Sequence, residues 1–288
     1  MDWEKEHMDW ALAESQTGWA LARGDGAYDQ AWNARAKKWS QTLEMGMEDW
    51  ATENVVRALE LSAHESVIDV CCGPGRLTLP MAKVCEDITG MDGGEELLAK
   101  LRQRAQTHGL DHIKTLCANW YAVEPGRDFP QFDVAVACNS PALGDIQKFS
   151  RTARKRCIYV NLCKGPLMHR IIDDVYAGCT NEVPDKLPGT DQEQWSVLRS
   201  NYHITFGRLV SLGACPTVKY CDGGWHFRTQ SLEKLCAHLA MLNHILPDKW
   251  DVFEENVSRY CTFTSDGVLF HRTHKMVIMS WDPNQVQQ

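Results

Sequence analysis

Two aspartates and two glycines between positions 69 and 92 have the types and spacing that best suit small-molecule chemistry. Asp69 lies within the apolar run 67–72, and Gly73 and Gly75 follow that run directly. Such a run favours a buried parallel strand, and the glycines favour a tight turn where a ligand can approach the backbone closely. Residues 77–84 then predict a helix whose free amides face the turn. The segment therefore predicts a cradle for a small molecule.

The residues around the turn distinguish between nucleotide ligands. A dinucleotide site needs a third small residue shortly after the second glycine, where this sequence has Thr78. Asp69 would also repel a pyrophosphate, and it favours a ligand with an ammonium group. The next predicted strand, 87–92, ends in Asp92, which is placed to accept from both ribose hydroxyls. An amino-acid head joined to a nucleoside satisfies these features, and S-adenosylmethionine is such a molecule.

At this point the sequence resembles the class I S-adenosylmethionine-dependent methyltransferases, most clearly between residues 32 and 150. The residues that match their first motif are Asp69, Cys71, Gly73, Pro74 and Gly75. Asp92 stands at the position of the ribose acid. The resemblance implies a Rossmann-like α/β fold with a mostly parallel seven-stranded sheet flanked by helices. It also implies S-adenosylmethionine as the cofactor and methyl transfer, EC class 2.1.1, as the activity.

The resemblance also implies an adenine contact after the third strand. Family members often have an aspartate there, and this sequence has Asn119 followed by Trp120. Asn119 can still accept from the adenine amino group, so we assign both residues to the cofactor side. The alternative for Asn119 is a simple turn former.

The fourth predicted strand, 132–138, ends where family members hold the methyl acceptor. Cys138 is a candidate for the cofactor side and the acceptor side, and Asn139 and Ser140 are acceptor-side candidates. The alternatives are a small buried thiol at Cys138 and a strand end before a helix near Ala142. Further candidates are Tyr121, Tyr202 and Trp225 as acceptor contacts and His169, His203 and His226 as general bases. Each of these six can equally be structural.

The charge of the chain counts against a nucleic-acid substrate. The 288 residues have a formal net charge of −8 and a pI of about 5.8. Binding to RNA or DNA requires a basic face that releases counterions from phosphates. The basic stretch 151–156 is expected to be a solvated helix end. A small-molecule acceptor is our first hypothesis, and the alternatives are an RNA or protein methyltransferase or a regulatory protein that binds the cofactor without transferring its methyl group.

Other features favour a cytoplasmic protein with reduced thiols and without a metal. The first residues are charged, and no apolar run approaches the ~18 residues of a membrane helix. The 12 cysteines are spread through predicted strands and helices. No Cys-x-x-Cys occurs, and His271 and His274 have an odd spacing in a predicted strand, which places them on opposite faces. A homodimer is one assembly that we consider.

The sequence predicts a helical segment before the sheet and helical additions after it. Residues 1–60, rich in tryptophan, predict helices, and the resemblance implies that 32–39 forms a lid over the cofactor; packing against the sheet is the alternative. Residues 61–288 form the methyltransferase domain, with helical additions around 180–260. The remaining predicted elements are helices at 95–107, 165–178, 194–212, 231–246 and 248–260, strands at 113–117, 156–162, 217–220 and 275–281, a loop at 179–190 and a glycine-rich excursion at 221–227.

Overall fold

The computed structural model describes residues 47–48, 50–163, 171–180, 202–241 and 244–286. The strands are β1 Met47–Glu48, β2 Ser66–Val70, β3 Asp87–Asp92, β4 Ile113–Cys117, β5 Phe132–Cys138, β6 Ala153–Leu162, β7 Thr217–Thr229, β8 Cys261–Thr264 and β9 Gly267–Trp281. The helices are α1 Trp50–Leu59, α2 Thr78–Met81, α3 Glu95–Thr107, α4 Ile146–Ser150, α5 Ile171–Tyr176, α6 Tyr202–Ser211, α7 Leu232–Ala240 and α8 Trp250–Ser258. Short 3₁₀ turns occupy Pro141–Gly144, Pro247–Lys249 and Pro283–Gln285.

The described strands form one sheet in the order β1-β7-β9-β6-β5-β2-β3-β4, and β8 pairs with β9. Strands β2, β3, β4, β5 and β6 pair with one another in parallel. Strand β9 is antiparallel to both β6 and β7. In the sheet, the seven strands between the edge strand β4 and β7 are β4, β3, β2, β5, β6, β9 and β7. All of them except β9 run in one direction, so they form the mostly parallel seven-stranded sheet implied by the resemblance. Strands β1 and β8 are additions to it.

Strands β2 and β5 lie in the middle of the sheet and are buried on both faces. Val67 and Ile68 point to opposite faces and have no exposed surface. Helices α1 and α2 pack on one face, and α4 and α6 pack on the other. A strand that is covered on both sides needs a nearly continuous apolar run, which these strands have apart from Asp69 in β2 and Asp133 in β5. The predicted strands 87–92, 113–117 and 132–138 and the predicted helix 95–107 are confirmed at the same boundaries.

Two predictions near the site are wrong in extent or type. The helix predicted at 77–84 is limited to α2, Thr78–Met81, because the chain must turn back before β3 begins at Asp87. The basic stretch 151–156 is a helix end only at Arg151, which caps the carboxyl end of α4, since β6 begins at Ala153 and pairs with β5. Pairing with a neighbouring strand overrides the local helix preference there.

The glycine-rich excursion predicted at 221–227 is also wrong. Strand β7 is continuous through these residues and pairs with β9 along its whole length. A Cβ atom on Gly223 would lie 2.7 Å from the Cβ atom of Ala51 in α1. This glycine therefore permits the close approach of a helix to the strand and does not form a turn.

Strands β7 and β9 continue past the edge where β6 ends. The register places Cys221 of β7 and Met276 of β9 level with Leu162, the last residue of β6. Residues beyond this level pair with each other and with β8, and they support α5, α7 and α8 around a second core. We call this region, residues 171–180, 222–241 and 244–275, the extension. Its core residues include Tyr176, Phe227, Leu235, Phe253 and Phe270.

Helices α7 and α8 of the extension are shorter than predicted. Ser231 caps α7, as predicted, by accepting from the amide of Lys234 at 3.3 Å. Helix α7 ends at Ala240, and a 3₁₀ turn precedes α8. Strand β8 was not predicted, and the strands predicted at 156–162 and 275–281 are longer in the structure, as β6 and β9.

Several predictions fall wholly or partly outside the described residues. These are the helices and the lid at 1–46, most of the loop at 179–190, and the first parts of the helices at 165–178 and 194–212, of which α5 and α6 are the described parts. Within 47–60, Met47–Glu48 is a strand and Trp50–Leu59 is the predicted kind of helix. In the part of the chain that is described, every helix is too short or too polar to cross a membrane.

Candidate active site

The carboxyl ends of the parallel strands bring the motif residues to one edge of the sheet. The glycine loop follows β2, Asp92 ends β3, Asn119 follows β4 and Cys138 ends β5. In open α/β sheets this edge is where ligands bind. Residues separated by up to about 70 positions in the sequence are thus neighbours along this edge.

The two glycines of the loop have different roles. Both have left-handed backbone conformations, with φ of +55° at Gly73 and +84° at Gly75. A Cβ atom on Gly73 would meet nothing within 4 Å, whereas one on Gly75 would overlap the side chain of Leu101 in α3. The backbone at Gly73 is therefore open to a ligand, and Gly75 permits α3 to pack against the loop. The carbonyl of buried Pro74 accepts from the guanidinium of Arg104 in α3 at 2.7 Å.

Asp92 joins the glycine loop to the start of α3. Its carboxylate accepts from the amide of Gly73 and from the amide of Gly94, each at 2.9 Å. Burial raises the pKa of Asp92, and the hydrogen bonds from the Gly94 and Gly73 amides oppose that shift. A carboxylate has about four acceptor sites. Asp92 can therefore accept from ribose hydroxyls while it holds the loop.

Asp69 lies beneath the loop and not on its open side. It is 2% exposed, and its carboxylate accepts from the hydroxyl of Thr78 at 2.6 Å. Burial raises the pKa of Asp69 to about 6, although the hydrogen bond from Thr78 lowers it. A direct contact with a ligand ammonium group would require this side chain to become exposed. In the structure Asp69 supports the loop by tying β2 to α2.

The first loop cysteine, Cys71, is half-buried against the central core. Cys71 has a left-handed φ of +59° and lies beside Ser140, so the loop after β2 touches the segment after β5. Burial raises the pKa of the Cys71 thiol, and Asp92 raises it further. Cys71 is therefore a neutral thiol at physiological pH.

The segment after β4 places Asn119 and Trp120 in different environments. Asn119 is exposed next to Asp92, because the amide of Ala118 donates to the Asp92 carbonyl at 2.9 Å. Its side-chain oxygen accepts from the amide of Tyr121 at 3.0 Å, which is the turn-forming role given above as the alternative. Trp120 is 3% exposed and packs in the core beneath the segment. Its ring is therefore placed for support and not for stacking on a ligand at the surface.

The residues at the end of β5 and after it also differ in exposure, one being buried and two half-buried. Ser140 is 1% exposed, and its hydroxyl accepts from the amide of Ala142 at 3.2 Å. It thus caps the 3₁₀ turn, so the strand-end alternative describes Ser140 correctly. Cys138 and Asn139 are half-buried at the edge, and Asn139 has a left-handed φ of +48°. These two side chains can face an acceptor.

The aromatic and histidine candidates are spread over two regions. On α6, the hydroxyl of Tyr202 lies 2.8 Å from that of Tyr220 in β7, and the exposed ring of His203 lies 4.0 Å from the Tyr202 ring. Tyr121 is half-buried against the central core. His226 lies in the extension, where its ring is 5.2 Å from that of His271.

Two candidates have no described side chain. Trp225 lies in β7 opposite Arg272, but its side chain is outside the described part, and His169 lies wholly outside it. His203 is therefore the general-base candidate that the structure locates beside the sheet edge.

A tyrosine and an asparagine near the end of β6 were missed by the sequence analysis. Tyr159 is 2% exposed, and the side-chain amide of Asn161 donates to its hydroxyl at 3.0 Å. Burial raises the pKa of Tyr159, and the nearby thiols of Cys138 and Cys163 raise it further. The signal available in the sequence was a set of polar residues at alternate positions in an apolar strand, 157–163. In the described ranges, no three His, Cys, Asp or Glu side chains are grouped so that they could hold a metal ion.

Comparison with known proteins identifies the domain that contains this edge. Residues 67–157, from β2 into β6, match the family model described as a methyltransferase domain. This part of the chain, 91 of the 288 residues, is therefore similar to methyltransferase domains. The open backbone at Gly73 and the carboxylate of Asp92 fit the methionine and ribose parts of S-adenosylmethionine.

Relatives of the methyltransferase domain cover parts of this chain. An uncharacterised protein of Haemophilus influenzae is 30% identical over 129 residues, which are 43% of this chain and 47% of that protein. The 23S rRNA (uracil(1939)-C(5))-methyltransferase RlmD of Shewanella amazonensis is 38% identical over 61 residues, 21% of this chain and 14% of that enzyme. The chain thus spans less than half the length of these two curated relatives.

A solved structure supports the fold over a larger part of the chain. A candidate methyltransferase from Bacillus halodurans C-125 is similar with a TM-score of 0.50 and 12% sequence identity. The similarity covers 80% of this chain and 98% of that chain. At this identity the likeness shows the fold alone.

Proposed function

We propose that this protein transfers the methyl group of S-adenosylmethionine to a small-molecule acceptor. The observation that best supports the proposal is the pair formed by Gly73 and Asp92. Open space lies over Gly73, and the Asp92 carboxylate is 2.9 Å from the Gly73 amide. Bare backbone suits the methionine part of the cofactor, and the carboxylate suits the ribose hydroxyls. The acceptor would then lie beside the ends of β5 and β6.

The proposed reaction is an in-line displacement at the methyl carbon. The acceptor atom forms the new bond to carbon while the bond to the sulfonium breaks, and the thioether S-adenosylhomocysteine leaves. Because the leaving group is already good, the protein must chiefly align the two reactants and exclude water, which can supply ~7–11 kcal/mol of the barrier. Asn139 and Cys138 are placed to contact the acceptor from β5.

A hydroxyl or thiol acceptor must also lose a proton, and a base would assist by ~10²–10⁴-fold. His203 is the exposed candidate beside the Tyr202–Tyr220 pair. The tyrosines do not serve as bases, because burial raises the pKa of both Tyr159 and Tyr202. Tyr202, which is half-buried, is a hydrogen-bond donor that can orient an acceptor.

The arrangement of positive charge favours a small molecule over RNA. In the basic stretch, Arg154 and Lys155 both pair with Asp133, at 3.1 and 3.4 Å. Arg156 pairs with Glu65 at 3.5 Å. The two carboxylates offset two of these three positive charges, so the stretch offers little excess positive charge to phosphates. The RNA alternative is supported by the similarity to the Shewanella rRNA methyltransferase, which covers 21% of this chain.

Two matched glycine variants test cofactor binding at the loop. Gly73 and Gly109 have similar φ, +55° and +65°, and a Cβ at either would meet nothing within 4 Å. Both Gly73→Leu and Gly109→Leu therefore incur the backbone strain, about 1–2 kcal/mol. Calorimetric titration with S-adenosylmethionine should show that Gly73→Leu abolishes binding and Gly109→Leu preserves it. Equal binding by both variants would contradict the proposed cradle.

The acceptor class is tested by product analysis. The protein is incubated with methyl-labelled S-adenosylmethionine and either a small-metabolite extract or total RNA. Mass spectrometry should detect label in a small molecule from the extract. Label in RNA alone would favour the alternative, and bound cofactor without any labelled product would indicate a binding protein.

A further inference from the structure

A buried lysine lies directly beneath the segment that follows β4. Lys148 in α4 is 5% exposed, and its ammonium group donates to the carbonyl of Trp120 at 2.6 Å. The same nitrogen lies 4.7 Å from the centroid of the Trp120 ring, which is a cation–π contact. Removal of a charge from water is costly unless the charge is paired and hydrogen-bonded. A lysine at this position therefore requires a function that an apolar residue would not supply.

The contacts of Lys148 fix the segment 118–124, which we call the adenine loop. The first end of the loop is held by the hydrogen bond from the Ala118 amide to the Asp92 carbonyl. Lys148 holds the middle through the Trp120 carbonyl and the far end through Glu124, whose carboxylate is 3.7 Å from its nitrogen. Asn119 lies between the first two of these points. Its position at the site therefore depends on where Lys148 holds its neighbour.

Lys148 also belongs to the connection that follows β5. Asp145 caps α4 by accepting from the backbone amide of Lys148 at 3.0 Å. Ser140 caps the 3₁₀ turn that precedes this helix. The lysine thus joins the loop on the cofactor side to the segment on the acceptor side through one buried side chain.

We propose that Lys148 is a positioning residue for cofactor binding. It holds the adenine loop so that Asn119 meets the adenine amino group, and it has no direct contact with the cofactor. The inference rests on the proposed function, because an adenine contact at Asn119, whose side-chain oxygen also accepts from the Tyr121 amide, requires S-adenosylmethionine to bind at this edge.

Calorimetric titration with S-adenosylmethionine tests the proposal on two substitutions. Lys148→Met removes the charge and the donor, and its dissociation constant should rise about 10-fold or more, as expected for loss of one charge-assisted hydrogen bond. Lys148→Arg keeps a cation and should retain most of the affinity. Lys155→Met is the matched control, since Lys155 is exposed on β6 and pairs with Asp133.

A double-mutant cycle with Asn119→Ala separates positioning from general stability. If Lys148 acts through Asn119, the loss of affinity in the double variant is smaller than the product of the two single losses. Independent losses that multiply would overturn the proposal, and so would unchanged affinity in Lys148→Met. If Lys148→Met does not fold, the cycle uses Lys148→Gln, which retains a neutral donor. Failure of the wild-type protein to bind S-adenosylmethionine would instead refute the proposed function.

Discussion

The site edge and the extension share β7 and β9 but are stabilised in different ways. At the site edge, buried polar side chains have specific partners, as Asp69 has in Thr78 and Lys148 in the Trp120 carbonyl. The extension is built around aromatic and aliphatic side chains. Its buried His238 has no hydrogen-bond partner at either ring nitrogen among the described residues. The extension also has directional bonds, such as the one from the Asn256 side-chain amide to the Ala177 carbonyl at 3.0 Å. The difference is that its core also buries an imidazole ring without such a bond in the described part of the chain.

The largest expected effect comes from two buried phenylalanines, one in each region. Phe149 and Phe270 are both 0% exposed, and Phe149 packs 6.4 Å from the Trp120 ring, whereas Phe270 belongs to the core of the extension. Phe149→Ala and Phe270→Ala should each reduce the free energy of unfolding by about 3–5 kcal/mol in urea denaturation. Only Phe149→Ala should also weaken S-adenosylmethionine binding. Comparable weakening in Phe270→Ala would show that the two regions are not separable.

A smaller effect is expected from the carboxyl under the loop. Burial raises the pKa of Asp69 to about 6, so folding favours its protonated form. Its contribution to stability is complete below the unfolded pKa of about 3.9 and is lost as the pH rises through 6. Asp69→Asn should therefore be more stable than the wild type at pH 7.5, by up to about 3 kcal/mol, and similar to it near pH 4. Urea denaturation at both pH values measures this, and a pH-independent difference would contradict it.

The next effect concerns ligand affinity alone. Asp92→Ala should weaken S-adenosylmethionine binding by about 10- to 100-fold, because hydrogen bonds to a charged group contribute about 1.5–3 kcal/mol. Asp87→Ala, at the other end of β3 where the carboxylate pairs with Lys114, is the control and should leave affinity unchanged. Calorimetric titration of both variants with S-adenosylmethionine measures these affinities. Normal binding by Asp92→Ala would mean that the ribose does not contact Asp92.

The smallest effect distinguishes the regions by the sign of their pH dependence. Burial lowers the pKa of His238, so its contribution to stability is present above about pH 6.5 and is lost as the pH falls. The extension should therefore be weakened by acid, whereas the Asp69 site is stabilised by it. His238→Leu should shift the midpoint of acid unfolding to lower pH. Tryptophan fluorescence as a function of pH measures this midpoint. An unchanged midpoint would mean that His238 is not protonated during unfolding.

The sequence predicted the part of the fold in which chemistry or periodicity acts locally. The glycine loop and Asp92 were found because a cofactor requires bare backbone and a carboxylate at fixed positions. The strand at 132–138 was found from its mostly apolar sequence, and the strand at 87–92 from a short segment that ends in a carboxylate after the glycine loop. Nothing local indicated that Ser140 and Trp120 would be buried, since that depends on the helices packed around them.

The extension was predicted less well because distant contacts determine it. Gly223 and Gly224 together have the composition of a turn. Gly223 nevertheless lies in a strand, where its missing side chain makes room for Ala51, about 170 positions earlier in the sequence. The basic residues 154–156 likewise lie in a strand because β6 pairs with β5, and acids on other elements accept their side chains there. The Tyr159–Asn161 pair was missed because no family motif includes it.

The position of β9 has a consequence for the order of events during synthesis. This strand follows all the other described strands in sequence, yet it lies between β6 and β7. Until the ribosome has released residue 281, β6 and β7 each present an unpaired edge, and such edges invite association with other chains. In a nascent chain the sheet is therefore in two separate parts until β9 is inserted between β6 and β7 and joins them.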